Sequence, residues 1–170
     1  MPHINFEFKA IVNDLEKLEQ LLLTLNPRFA GEDHQTDTYF NVSKGRLKLR
    51  EGNIENALIY YERDNTPTAK KSEVILYQRQ PAPGLKEILT RVHGIKTVVD
   101  KHRKIYFVDN VKIHFDEVQG LGTFVEVEAI SKDKSISIKQ LKQQCNRFAE
   151  LFEIKPEDHL AASYSDMIVK

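Results

Sequence analysis

Across much of this chain, apolar and charged residues alternate one for one, and that alternation constrains the fold more than any other feature. The clearest case is Gly122-Thr123-Phe124-Val125-Glu126-Val127-Glu128, whose β-branched and aromatic residues favour a strand. Alternate side chains of a strand share a face, so Val125 and Val127 point one way and Phe124, Glu126 and Glu128 the other. Two carboxylates two positions apart lie roughly 7 Å from each other, close enough to share a metal ion if a partner relieves their repulsion. Alone, the same pattern also suits a half-buried strand with one wet face.

The habit recurs along the chain. Ile4, Phe6 and Phe8 oppose Asn5, Glu7 and Lys9. In Arg46-Leu47-Lys48-Leu49-Arg50, two leucines oppose three cations, which repel one another and call for either an anionic partner or screening solvent. Ile59, Tyr61 and Arg63 share a face; so do Lys101, Arg103 and Ile105, and so do His114 and Asp116. Further strands are expected over 34–42 and 73–79, which makes about eight, and Asp109-Asn110 is the turn of a hairpin. Helices are expected from Leu15 to Leu25, from Leu85 to His93, after the Ser137 and Gln140 cap, and briefly at Pro156. The polar stretch 64–71 reads as a loop.

The helices carry apolar stripes and need an apolar partner, which the uncharged strand faces provide. Packing them on the outside of the sheet leaves the charged faces inward. Consecutive antiparallel strands of this number can close into a barrel, which also removes exposed edges. The expected fold is therefore α+β, an eight-stranded antiparallel closed barrel with helices outside. A charged interior must hold water or a ligand. Bases dominate 46–50, Arg63 and 101–103; acids dominate Asp116, Glu126 and Glu128, with Glu7 beside them. A cationic wall next to an acidic patch suits a polyanion carrying a divalent cation. An outward face laced with weak cross-strand ion pairs is the alternative.

Bulk properties narrow the partners. Lys and Arg together number 25, and so do Asp and Glu, so no net positive field argues for nucleic acid or an anionic membrane. At 170 residues one domain, 1–170, is expected. No apolar run spans a bilayer and no secretory segment opens the chain; with a single cysteine, Cys145, a cytoplasmic location is expected. Cys145 falls in a helical stripe with Leu141 and Phe148 and reads as a buried structural thiol. The histidines other than His114 show no metal-ligand spacing, and His114 reads as a wall residue hydrogen-bonded to Asp116.

Dispersed motifs, in order, carry a resemblance that covers nearly the whole chain. Asn5-Phe6-Glu7-Phe8-Lys9 resembles the ExExK signature of CYTH proteins, the triphosphate tunnel metalloenzymes. Arg46 to Arg50 resembles their basic strand; 59–63, 101–103 and 114–118 follow in the family's order, and 121–128 matches closely. Ser163-Tyr164-Ser165-Asp166 resembles the family's C-terminal end, and the branch most similar is that of the class IV adenylate cyclases. The resemblance implies a triphosphate tunnel with Mg²⁺ or Mn²⁺ as cofactor. By position, Glu7, Glu126 and Glu128 would be metal ligands with Asp116 close by. Lys9, Arg46, Lys48, Arg50, Arg63 and Arg103 would grip phosphate oxygens, with Lys101 a weaker candidate. Glu126, Glu128 and Arg103 would act in catalysis. Asn5 departs from the signature: its amide can coordinate but brings no negative charge.

The expected partner is a triphosphate-bearing small molecule, and a homodimer is an open assembly. Hydrolysis of inorganic triphosphate or a triphosphorylated organic compound is the leading activity. Cyclisation of ATP to cyclic AMP and pyrophosphate is the alternative, and a non-catalytic nucleotide or polyphosphate sensor the third reading.

Overall fold

A computed structural model describes residues 3–63, 70–78, 80 and 83–168. Eight strands form: β1 (His3–Ile11), β2 (Arg28–Phe40), β3 (Arg46–Glu51), β4 (Asn56–Arg63), β5 (Lys70–Gln78), β6 (Ile95–Val108), β7 (Val111–Val118) and β8 (Gly122–Ser131). Every pairing is antiparallel, and the sheet closes in the order β1-β5-β4-β3-β2-β6-β7-β8. Among the described residues four α-helices accompany it: α1 (Leu15–Leu23), α2 (Pro83–His93), α3 (Ile138–Leu151) and α4 (Tyr164–Ile168). The α+β barrel expected from the alternation is the fold observed. Of the loop expected over 64–71, residues 64–69 lie outside the described residues, as do Arg79, Pro81 and Ala82.

The period-two pattern sorts side chains across the wall. Outward-facing Phe6, Phe8, Val111, Ile113, Phe115, Val125 and Val127 join Leu18 and Leu22 of α1 and Leu141, Cys145 and Phe148 of α3 in one apolar cluster. Closure of the sheet thus places the main core outside the barrel wall, under α1 and α3. Ser137 begins α3 with a reciprocal capping box to Gln140. Cys145 donates its thiol hydrogen to the Phe6 carbonyl at 3.0 Å, and burial pushes its pKa up to about 12, so it is a structural thiol. Two elements depart from the expected scheme. None of the α2 residues is buried, whereas α4 reaches inward, where Tyr164 packs on Phe124.

β2 starts six residues before the expected His34. Residues Arg28 to Asp33 pair with Arg103 to Phe107, across a register shift at Phe29 to Gly31 where Gly31 takes φ 129°. Phe29 and Glu32 are both exposed there, so no clean alternation marked that stretch in the sequence.

Phe148 is 2 % exposed and fills the space between α3 and the barrel wall. Phe148→Ala is expected to cost about 3–5 kcal/mol. Urea denaturation of the two proteins measures it; a loss below about 1 kcal/mol would mean that α3 is not anchored through this ring.

Candidate functional site

The register sets the inner face residue by residue. Across β1 and β8, Lys9 faces Glu126 and Glu7 faces Glu128. Across β7 and β8, His114 faces Glu126 and Lys112 faces Glu128. Across β6 and β7, Arg103 faces Asp116. Across β2 and β3, Tyr39 faces Lys48 and Asp37 faces Arg50. All of these side chains but His114, Asp116 and Asp37, which are buried in the wall behind, line a cavity of about 250 Å³. Its lining includes Asn5, Glu7, Lys9, Lys48, Arg50, Arg63, Lys101, Arg103, Glu126 and Glu128.

The basic side is built on an aspartate. Arg50 donates to both Asp37 oxygens at 2.9 Å, Lys101 Nζ lies 2.6 Å from Asp37 Oδ2, and Lys48 Nζ 3.5 Å from it. Burial works against the Asp37 charge, but Arg50 and Lys101 outweigh it and hold the carboxyl well below its usual range. Burial lowers Lys101 to about 7, with Asp37 opposing. One fully buried carboxylate thus gathers three basic side chains, and Arg50 with Lys48 already outweighs its charge. Asp37 lay hidden in a segment read only for its β-forming residues. The alternation Asp33, Gln35, Asp37, Tyr39 was the signal that could have found it.

The acidic side gathers Glu7, Glu126 and Glu128. Glu7 accepts from Arg63 at 2.8 Å. Glu126 Oε1 lies 3.7 Å from Lys9 Nζ and 3.4 Å from Arg103 Nη2. Burial again opposes its charge, and Lys9 with its other neighbours outweighs burial to hold Glu126 well below the usual range. Glu128 behaves oppositely: burial, then the neighbouring Glu7 carboxylate, raise it to about 7. Lys9 falls to about 8 through burial, partly offset by Glu126, and its ammonium sits 3.8 Å over the Tyr164 ring.

His114 corrects an expectation. It makes no hydrogen bond to Asp116, whose oxygens instead accept from Arg103, at 2.6 and 2.7 Å, and from the Tyr164 hydroxyl, at 2.7 Å. His114 is 1 % exposed and neither ring nitrogen has a hydrogen-bond partner. Nδ1 stands 3.8 Å from Glu126 Oε2 and 3.9 Å from Glu128 Oε1. Burial drives its pKa down to about 3, so the imidazole is neutral and keeps a lone pair. One atom each of His114, Glu126 and Glu128 lie within 4.8 Å of one another. Asn5 Oδ1 is also buried without a hydrogen-bond partner on the same wall. Unpartnered buried acceptors beside two carboxylates are the donor set a divalent cation would satisfy.

Of the residues expected from sequence, two stand off the cavity. Asp116 lies behind Arg103, fully buried. Arg46 turns to Asp166, 2.7 Å away, and holds α4 against β3. Glu55 and Lys112 were missed. Glu55 follows β3 outside any alternating run, bonds Lys112, and accepts from Gln35 at 2.9 Å and from Arg50 at 3.3 Å. Lys112 alternates with His114 on β7 and could have been read from that pattern.

A family model described as the CYTH domain matches residues 3–164. The chain belongs to the CYTH domain family. A protein of Methanocaldococcus jannaschii, provisionally named an adenylate cyclase, is 24% identical over 173 residues, covering 96% of this chain and 98% of that one. Among solved structures, a conserved hypothetical protein from Pyrococcus furiosus superposes with a TM-score of 0.81 at 25% identity, covering 95% of this chain and 98% of its own. A Vibrio parahaemolyticus protein, again only provisionally an adenylate cyclase, gives 0.80 at 17% identity over 98% of both chains, a likeness of fold alone. The cavity-lining residues from Asn5 to Tyr164 all fall inside the CYTH match.

The raised Glu128 pKa makes its charge costly in metal-free protein. That cost is absent below the ordinary value of 4.5, grows between there and about 7, and is complete above that. In chelator, Glu128→Gln should therefore be the more stable protein at pH 8, by on the order of 2–3 kcal/mol, and lose that advantage by pH 4.5. Denaturant melts across pH measure the difference; an advantage that grows toward acid would contradict the assignment.

Proposed function

We propose that this CYTH protein is a divalent-metal-dependent phosphohydrolase that cleaves a triphosphate held inside the barrel. The observation that carries the reading is one cavity with Lys48, Arg50, Arg63, Lys101 and Arg103 on its walls and Glu7, Glu126 and Glu128 together at one side. The cavity of about 250 Å³ suits a compact polyanion, and a wider opening of about 600 Å³ shares Arg50, Glu55, Phe107 and Lys112 with it, which leaves room for an organic group on the triphosphate.

Mg²⁺ or Mn²⁺ would be held by Glu7, Glu126 and Glu128, with the neutral nitrogen of His114 and the Asn5 amide oxygen as added donors. There it would supply Lewis-acid polarisation of a phosphoryl oxygen. The protein's own groups do the rest. Arg50, Arg63, Lys48 and Lys9 bind phosphate oxygens through charge-assisted hydrogen bonds and neutralise them as charge shifts in the transition state. Arg103, held in place by Asp116, lies against Glu126 and offers its guanidinium to the same region. Asp116 serves by fixing Arg103, and Arg46 by fixing α4. The low dielectric of a narrow cavity strengthens each of these contacts.

Cyclisation of ATP is the second reading, favoured by the names of the relatives. It needs the same phosphate grip with the ribose oxygen as nucleophile and room for the nucleoside at the cavity mouth. Tyr39 and Tyr61 line the cavity but are 4 % and 7 % exposed, so they serve as wall more readily than as a stacking platform.

Separation of products after incubation with inorganic triphosphate, ATP and thiamine triphosphate, each with Mg²⁺ or Mn²⁺, decides between the readings. The expected result is phosphate release from inorganic triphosphate, reduced about 100-fold or more in Glu126→Gln. Cyclic AMP with pyrophosphate would transfer the assignment to the cyclase. Tight binding with no product from any substrate would overturn the enzymatic reading.

A further inference from the structure

On the outer face of the wall, β2 brings His34 beside two side chains of β6, Asp100 and His102, that lie more than 60 residues away in the sequence. His34 and His102 sit directly opposite each other in the register. Their rings stack at 4.2 Å with an interplanar angle of 20°. Asp100, two residues along the same face of β6, lies with Oδ1 2.9 Å from His34 Nε2. One ligand atom from each of the three falls within 4.8 Å of the others. The linear spacing of the histidines gave no sign of this, because strand pairing alone creates the proximity.

From this juxtaposition we propose that His34, Asp100 and His102 form a second cation site, on the outside of the barrel, for a borderline transition metal such as Zn²⁺, Ni²⁺ or Cu²⁺. Two imidazoles and one carboxylate are the ligands such ions prefer, whereas Mg²⁺ favours oxygen alone. Bonds of about 2.0–2.2 Å put tetrahedral ligands about 3.4 Å apart, within reach of χ rotation for exposed side chains already this close. The remaining coordination positions would be open to water.

Two further observations favour a cation here. The groove beside the histidines, between α1 and the sheet, is lined by Glu16, Glu19, Glu32 and Glu117, so acids outnumber bases along it. Glu117 stands opposite His102 on β7 and adds a carboxylate to the rim. The backbone under the site is also braced: the His34 amide donates to Asn53 Oδ1 at 2.6 Å, and Asn53 Nδ2 donates to the Glu32 carbonyl at 3.1 Å. The sheet itself separates this site from the cavity, since the flanking Lys101 and Arg103 point inward. A cation bound there would tie β2 to β6, the strands that carry Asp37 and Lys101, from outside. This inference does not depend on the triphosphate reading.

Ni²⁺ titration, followed by paramagnetic broadening of backbone amide resonances, locates the site directly. The protein is kept in saturating Mg²⁺, and a Glu126→Gln/Glu128→Gln background is run in parallel to separate the cavity. The expected result is broadening centred on residues 32–36 and 98–104 in both backgrounds. His34→Gln and His102→Gln should each weaken Zn²⁺ binding about tenfold or more by calorimetry, at least the loss caused by removing an outer-shell partner. Both positions are exposed, so unchanged chelator-treated melting checks that the variants fold. Broadening confined to the cavity, affinity unchanged in both histidine variants, or no binding by wild-type protein would each overturn the proposal.

Discussion

The pair between Arg103 and Asp116 is the contact on which the barrel interior depends. The two side chains are 2 % and 0 % exposed and joined by two hydrogen bonds of 2.6 and 2.7 Å. A carboxylate so placed is tolerable only while its partner remains, and removing one partner of such a pair typically costs about 3–5 kcal/mol. The pair joins β6 to β7, and Tyr164 adds the C-terminal helix through its hydroxyl. Arg103 then reaches Glu126 at 3.4 Å, so one guanidinium links the structural pair to the acidic patch.

The same logic runs around the wall. Asp37 answers Arg50 and Lys101, and Glu7 answers Arg63. None of these pairs closes the balance completely. Asp37 leaves an excess of positive charge beside it, while burial and the neighbouring Glu7 carboxylate raise the Glu128 pKa to about 7 despite Lys112 and Arg103. His114 and Asn5 leave acceptors without hydrogen-bond partners in the same interior. An interior incompletely compensated in opposite senses on two sides suits the ligand proposed for it, an anion with its cation. On the outside, α1 and α3 cover the apolar face of β1, β7 and β8.

Much of this was legible in the residues because closure and alternation obey local rules. The strands at 4–10, 46–50, 111–118 and 122–128 declare their inner faces by simple period-two alternation, and the Ser137 cap announced α3. The hidden parts are those set by pairing between distant strands. Asp37 became visible as the hub of the basic wall only once β2 lay against β3 and β6. The pairing also turned Asp116 from a candidate ligand into the support of Arg103, and left His114 without the bond expected for it. Arg46 shares a strand face with Lys48 and Arg50, yet Asp166 draws its side chain away, and nothing in the spacing of residues 46–50 foretells that. His34 and His102 meet for the same reason, through register rather than sequence spacing.

The most direct measurement is a crystal structure with Mn²⁺ and a non-hydrolysable triphosphate, using the anomalous signal of the metal. The account predicts a manganese peak inside the barrel within bonding distance of Glu126 and Glu128, with phosphate oxygens against Arg50 and Arg63. A metal bound only outside the barrel, or a triphosphate lying on the outer surface, would contradict it.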